Sequence, residues 1–359
     1  MMAQNNDKLC LCGSGRFYKD CCQKKLDPTD EIIRIKLIYD FESSRKKYLK
    51  ICLHPLQNEC KQDKIHAHTI SKKAVLKLIA KDGKVLMPVM YAMGNEFKMQ
   101  HLGIEADATK LYCFCSQHDK MFNPIDKNDV TIDCTTAFLY AYRAFAGVYY
   151  RIEREIYIYE NRLSPKYNLT KVPEVILLHE WETLLLKKLN YCRSLFDNAI
   201  ISQNYDILET HTIYLSYRVL FAVSSCFSIS FDIYGNRVKK DSDEIHVIYI
   251  SVIPDKATSK IIISWMREDS DIYRPFEKQL KSVPQSFVLK YLNNLLPMNC
   301  ENMTISPLLW ESWSASTRQE FLDTADCRKN ELAKKESYSH FSEKSYNLFE
   351  NLEIKNIKS

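Results

Sequence analysis

Residues 51–60, ICLHPLQNEC, and residues 114–119, FCSQHD, frame the stretch around which this chain is organised. Between Cys52 and Asp119 lie Cys52, His54, Cys60, His66, His68, Cys113, Cys115 and His118, a density of thiols and imidazoles that reads as a metal site. Zn²⁺ takes thiolate sulfur and imidazole nitrogen in a tetrahedron, usually built from two short ligand pairs that the fold brings together. The pairs here are Cys52 with Cys60 and Cys115 with His118. Four ligands complete a site, so His66 and His68, in IHAHTIS (65–71), are left either as polar residues of a strand end or as chemistry beside the metal. Cys113 is expected to be buried instead of ligating.

At 359 residues the chain can bury a large core and divide into several units. A hydrophobic content of 46% and a charged content of 26% are those of a globular protein, not a disordered or fibrous one. The net charge of +5 permits nucleic acid or acidic partners without requiring either. The opening residues MMAQNNDK lack a basic-then-apolar signal segment, and the apolar run 219–231 is broken by four serines, so the expectation is a cytoplasmic chain without a membrane span. Thirteen cysteines, crowded toward the first 134 residues, then read as metal ligands and buried thiols in a reducing compartment. With only seven glycines and no glycine-rich phosphate loop, nucleotide-driven mechanisms are disfavoured.

The segment CLCGSGRFYKDCC (10–22) offers four thiolates, Cys10, Cys12, Cys21 and Cys22. Cys10 and Cys12 can face one ion only if the chain turns sharply, which Gly13 and Gly15 allow by accepting positive φ. This segment closely resembles the SEC-C motif, a small zinc-binding module at the C-terminus of the bacterial preprotein export motor ATPase and in many unrelated bacterial proteins; Cys22 stands where many members have His. The resemblance covers about the first 25 residues. It implies one zinc on the four cysteines and contact with a protein partner or the ribosome through a basic, aromatic surface, whose matching residues are Arg16, Phe17, Tyr18 and Lys19.

Beyond the knuckle, Asp27 or Thr29 caps a helix over 32–49. Ser71 caps a shorter helix, 72–81, with Val75, Leu78 and Ile79 inward and Lys73, Lys77 and Lys81 along the opposite side, either a solvated face or a phosphate-binding one. Residues 85–92 and 98–102 read as strands. The pattern of strands and a ligand-bearing turn is similar to HNH-type treble-clef nucleases, which implies a ββα-metal core in which His68 takes the water-activating place. The sequence departs from that family in lacking a histidine or asparagine at the downstream position and in separating Cys52 from Cys60 by seven residues instead of two.

Apolar residues recur every three or four positions over 133–160 and again from Pro173, which predicts a helical hairpin. His179-Glu180 starts a zinc-protease pattern, but Thr183 stands where the second histidine belongs. Runs 210–217, 219–231, 246–253 and 261–266 are β-branched and aromatic and read as an antiparallel sheet, with helices from Pro284 and around Trp310, Trp313 and Phe321. The expected fold class is therefore α+β: a zinc knuckle (1–26), a Cys/His-rich ββα-like central module (27–130), a helical hairpin (131–205), a sheet with capping helices (206–330) and a polar tail (331–359) in which Phe341, Tyr346 and Phe349 can dock. Two functions follow. One is a zinc-binding adaptor with two structural sites and a protein partner on the knuckle. The other is a metal-dependent nuclease, active in defence against foreign DNA, with His68 as general base and Lys73, Lys77 and Lys81 on the phosphate backbone of nucleic acid.

Overall fold

The β-branched C-terminal runs do pair, and they recruit more of the chain than their own segment. In the computed structural model, which describes residues 8–12, 14–48, 51–61, 64–90, 97–238, 245–326 and 343–352, β5 (Leu208–Leu215), β6 (Phe221–Phe227), β7 (Ile248–Pro254) and β8 (Ser259–Met266) join a seven-stranded sheet. Its order is β3-β2-β9-β6-β7-β8-β5, and all its pairings are antiparallel. The hairpin of β2 (Lys84–Met90) and β3 (Phe97–Gly103) extends this sheet and does not carry the metal ligands. The three-residue β9 (Met303–Ile305) links β2 to β6. The chain is α+β.

Every residue of β6 is buried, because both faces of the sheet are covered. Alternation sorts the side chains. Phe221, Val223 and Phe227 of β6, with Ile248, Ile250 and Val252 of β7, enter one core with α5 (Ser270–Ser282), α6 (Gln285–Asn299) and α8 (Ala315–Ala325). The opposite face presents small groups at Ser224, Ser251 and Cys226, beside which Tyr140 and Arg143 line a small cavity and Phe196 packs edge-on to Tyr249 at 5.3 Å. Small side chains there let helices approach closely.

Those helices are the predicted hairpin, α3 (Cys134–Ile158) and α4 (Pro173–Ser202). The chain resolves into two compact units, and the boundary falls inside both helices: Met1–Leu49, Tyr91–Glu96 and Tyr149–Tyr191 form one unit, and Lys50–Met90, Phe97–Val148 and Cys192–Ser359 the other. In the first, α1 (Glu31–Lys46) packs Leu37 and Phe41 against Ile158, Leu163 and Tyr167. Its cap is Asp30, whose carboxylate accepts from the amides of Ile32 and Ile33, and not Asp27 or Thr29; Asp27 instead binds Thr29. In the second, a two-stranded pair of β1 (Lys64–His68) and β4 (Lys110–Cys115) stands apart from the large sheet.

The lysine-bearing helix is shorter than its sequence pattern suggests. A π-turn over Lys72–Leu76 leads into α2 (Lys77–Ile79), so Lys81 falls outside the helix. Tyr346 and Phe349 dock as expected: Tyr346 packs on Trp313 and Phe321, and Phe349 on Phe221. Gly13 and Phe341, along with residues 331–342 of the predicted tail, lie outside the described residues. Among the described residues no helix is long and apolar enough to cross a membrane.

Candidate metal centres

The first centre is formed by a miniature hairpin and two helical turns. The Cys10 amide donates to Arg16 O at 2.7 Å and the Tyr18 amide to Lys8 O at 3.0 Å, while Gly15 takes φ 69° in the turn between them. This brings Cys10 and Cys12 around to face Cys21, which joins the 3₁₀ turns Tyr18–Asp20 and Cys22–Lys24, and Cys22, which opens the second of them. The four sulfurs lie within 4.8 Å of one another, with Cys12 to Cys21 at 3.5 Å and Cys21 to Cys22 at 3.9 Å. Zinc with Zn–S bonds of about 2.3 Å and tetrahedral angles requires S···S separations of about 3.8 Å. Burial pushes the Cys12 thiol up, but hydrogen bonds from Ser14 outweigh it and lower the thiol to about 6, so this ligand is readily ionised.

The second centre gathers Cys52, Cys60, Cys115 and His118, again with donor atoms within 4.8 Å of one another. His118 Nδ1 lies 3.4 Å from each of the three sulfurs, the position of an apex over a three-sulfur base. A zinc ion bonded at about 2.3 Å to sulfur and about 2.0 Å to nitrogen would set N···S near 3.5 Å. The donor set and its spacing therefore fit the ion, and all four corners come from the protein.

Local chain geometry explains how these residues meet. Residues 51–53 run beside β4, with amides of Ile51 and Leu53 donating to Tyr112 O and Cys113 O at 3.1 and 2.9 Å. Pro55 and a 3₁₀ turn over Gln57–Glu59 then swing Cys60 back, and the Gln57 amide group holds the Cys52 and His54 carbonyls. Across from them, β4 ends at Cys115 and a 3₁₀ segment, His118–Ile125, opens on the histidine ligand. Beneath the site Phe114, Phe122 and Tyr142 pack together, and the Tyr142 hydroxyl donates to Leu53 O at 3.1 Å. Cys113 is buried outside the ligand set, as expected.

Two supporting residues were not singled out as functional from the sequence. His54 stacks flat on His118, ring centroids 3.8 Å apart and planes 6° from parallel, and Glu59 reaches to 4.0 Å from His118 Nε2. With Nδ1 turned toward the sulfurs, Nε2 carries the proton, and at 4.0 Å the Glu59 carboxylate lies beyond hydrogen-bond distance and acts on the ring through its charge alone. The signal for His54 was present in its membership of the Cys/His cluster; nothing in the sequence marks Glu59.

The remaining predicted site residues scatter. On the knuckle Arg16, Phe17 and Lys19 are exposed, whereas Tyr18 is half-buried and its hydroxyl accepts from Asn168 Nδ2 at 3.0 Å. Lys73 and Lys77 are exposed, but Lys81 pairs with Glu311 at 2.6 Å. His68 is outside both ligand groups. Its Nδ1 lies 3.3 Å from the Thr109 hydroxyl, and burial, aided by Lys110, Lys72 and Arg143, pushes its imidazole down to about 4.

Comparison with protein-family models, with curated proteins and with solved structures gave no match. The two centres are thus defined by their own geometry. Each can hold a metal ion, and each donor set is one that zinc favours.

Proposed function

We propose that this chain is a zinc-binding interaction protein, with two structural zinc sites and a SEC-C-like knuckle that presents a partner surface. The observation that carries this reading is that both donor groups are complete. Structural zinc is held by four protein ligands, while catalytic zinc keeps a position open for water or substrate. Cys₄ and Cys₃His sets are of the closed kind. The partner surface is the solvent-facing side of the knuckle, where Leu9, Leu11 and Phe17 are exposed beside Arg16 and Lys19, and Lys19 Nζ sits 5.9 Å from the Phe17 ring. An apolar platform edged by cations suits a protein partner with an acidic rim. Tyr18 serves inside, as the anchor of the knuckle to Asn168.

The alternative reading, a metal-dependent nuclease, draws on one feature: His68 is kept neutral near neutral pH with Lys72 and Lys110 around it. Its imidazole is free of a proton to accept one from attacking water, but held down to about 4 it is a weaker base than an ordinary histidine, and Lys72 is paired with Glu105 at 2.7 Å.

Metal analysis by mass spectrometry tests the first reading: two zinc ions per purified chain are expected. One ion or none would overturn it. Partner capture should then be lost in Phe17→Ala/Lys19→Glu while both zinc ions remain. Cleavage of DNA or RNA that needs His68 would establish the nuclease instead.

A further inference from the structure

The first half of α4 carries an apolar face that is exposed among the described residues. Leu177, Trp181, Leu184 and Tyr191 are 44% to 63% exposed, and all belong to one compact unit. Their spacing of four, three and seven, with Lys188 at the intervening position, is the 4-3-4-3 pattern of a helix–helix seam over about four turns. An ordinary solvated helix face does not repeat large apolar groups at this period. A tryptophan at 49% exposure is moreover the residue type most enriched at interface centres.

The charges beside the seam select the occupant. Glu180 and Lys187, both exposed, lie on the same flank, about 40° and 60° from Leu184 at 100° per residue. A two-fold axis through Leu184 reverses the second helix and carries each flank onto itself. Glu180 of one copy then opposes Lys187 of the other, twice over, while Leu177 meets Tyr191 and Leu184 meets its own symmetry mate. A parallel pairing would instead exchange the flanks, leaving Glu180 beside Trp181 with no cation opposite and setting Lys187 against Lys188, which is repulsive. The same face also lacks the one-signed charge that an anionic lipid surface would attract.

We propose that α4 pairs antiparallel with α4 of a second copy, making the chain an isologous dimer about Leu184. Trp181 packs in this interface beside the Lys188 side chain of the other copy. Lys188 already has an aromatic neighbour, its Nζ lying 5.2 Å from the Tyr191 ring within one chain. A seam of four turns is short, so the dimer forms and dissociates with concentration.

Sedimentation velocity of the full zinc-loaded chain across the micromolar range tests this. A concentration-dependent dimer is expected for the wild type, and a monomer throughout would overturn the proposal. Leu184→Asp sets two carboxylates face to face and should weaken association at least about tenfold. Glu180→Lys should weaken it as well, and the triple exchange Glu180→Lys/Lys187→Glu/Lys188→Glu should restore it, since only the antiparallel arrangement regains opposite charges. Failure of the triple variant to recover, with helix content and two zinc ions intact, would overturn the antiparallel assignment. Glu180 and Lys187 are exposed and Lys188 is half-buried, so none of the charge exchanges enters the core and they decide the matter even if Leu184→Asp does not fold.

Discussion

At the scale of single residues the most heavily committed side chain outside the metal centres is Arg143. It is buried, its guanidinium forms a two-point pair with Asp126 at 2.8 and 2.9 Å, and its Cζ lies 4.4 Å from the Phe122 ring. Arg143→Leu leaves the Asp126 carboxylate without its partner and should cost about 3–5 kcal/mol, read from urea unfolding. The pair also sets a pH dependence. Burial pushes the Asp126 carboxyl up, but the hydrogen bonds and charge of Arg143 prevail and hold it below the ordinary value. Because the folded value is depressed, the stabilisation is present above the unfolded value, near pH 3.9, and is lost as pH falls through the folded one. Asp126→Asn should therefore be less stable than the wild type at pH 6, with the gap closing below about pH 4. A gap that stays constant down to pH 3 would contradict it. Glu59 makes a subtler contribution: at 4.0 Å from His118 Nε2 it acts by charge alone, so Glu59→Gln should weaken zinc retention at the second centre by less than the roughly tenfold that loss of a hydrogen-bonded partner behind a histidine ligand costs, read against a chelator.

At the scale of elements, α3 is held to its surroundings by a glycine. A Cβ on Gly147 would lie 3.0 Å from Thr69 Cγ2, and Thr69 cannot rotate away because its hydroxyl donates to Thr109 O at 3.0 Å and accepts from Asn302 Nδ2 at 2.9 Å. Alanine is the better helix former by about 1 kcal/mol, yet overpacking against a fixed methyl costs about 1–3 kcal/mol. Gly147→Ala should thus be destabilising on balance, and Thr69→Ser, which removes that methyl, should relieve the strain in the double variant. Equal loss in the single and double variants would assign the effect elsewhere. Elements of this size were largely legible in the sequence. The 3.6-residue period announced α3 and α4, and β-branched runs announced β5 to β8. What the sequence hid is non-local. The three-residue β9 is too short for any period, and the β2–β3 hairpin reads the same whether it borders the metal centre or, as it does, extends the large sheet. The helix over 72–81 was overestimated because apolar spacing does not reveal a π-turn or where the backbone turns into β2.

At the scale of the whole molecule the two candidate metal centres fall in different compact units, Cys10, Cys12, Cys21 and Cys22 in one and Cys52, Cys60, Cys115 and His118 in the other. No ligand is shared, so loss of one ion leaves the other donor group complete. The candidate ligands were legible because four cysteines within 13 residues, or two Cys/His pairs flanking strands, have the spacing of metal sites. Their consequences differ with their setting. The knuckle is tied into its unit by the Leu26 amide to Lys166 O at 3.0 Å and the Asn168 amide to Leu26 O at 2.8 Å, beyond the last cysteine. These ties do not depend on the metal. Cys12→Ser should release one zinc and disorder residues near the knuckle while leaving the tether at Leu26 formed. The second centre instead fastens residues 51–60 to β4 and to the start of the 3₁₀ segment above Phe114, Phe122 and Tyr142, so Cys115→Ser should release the other zinc and loosen that aromatic cluster as well. Amide hydrogen exchange with zinc counting separates the two outcomes. Protection should fall around residues 8–24 in the first variant and across 51–60 and 110–125 in the second, each with one zinc remaining. If either substitution emptied both centres, their independence would be refuted, because separate ligand sets lose their ions additively.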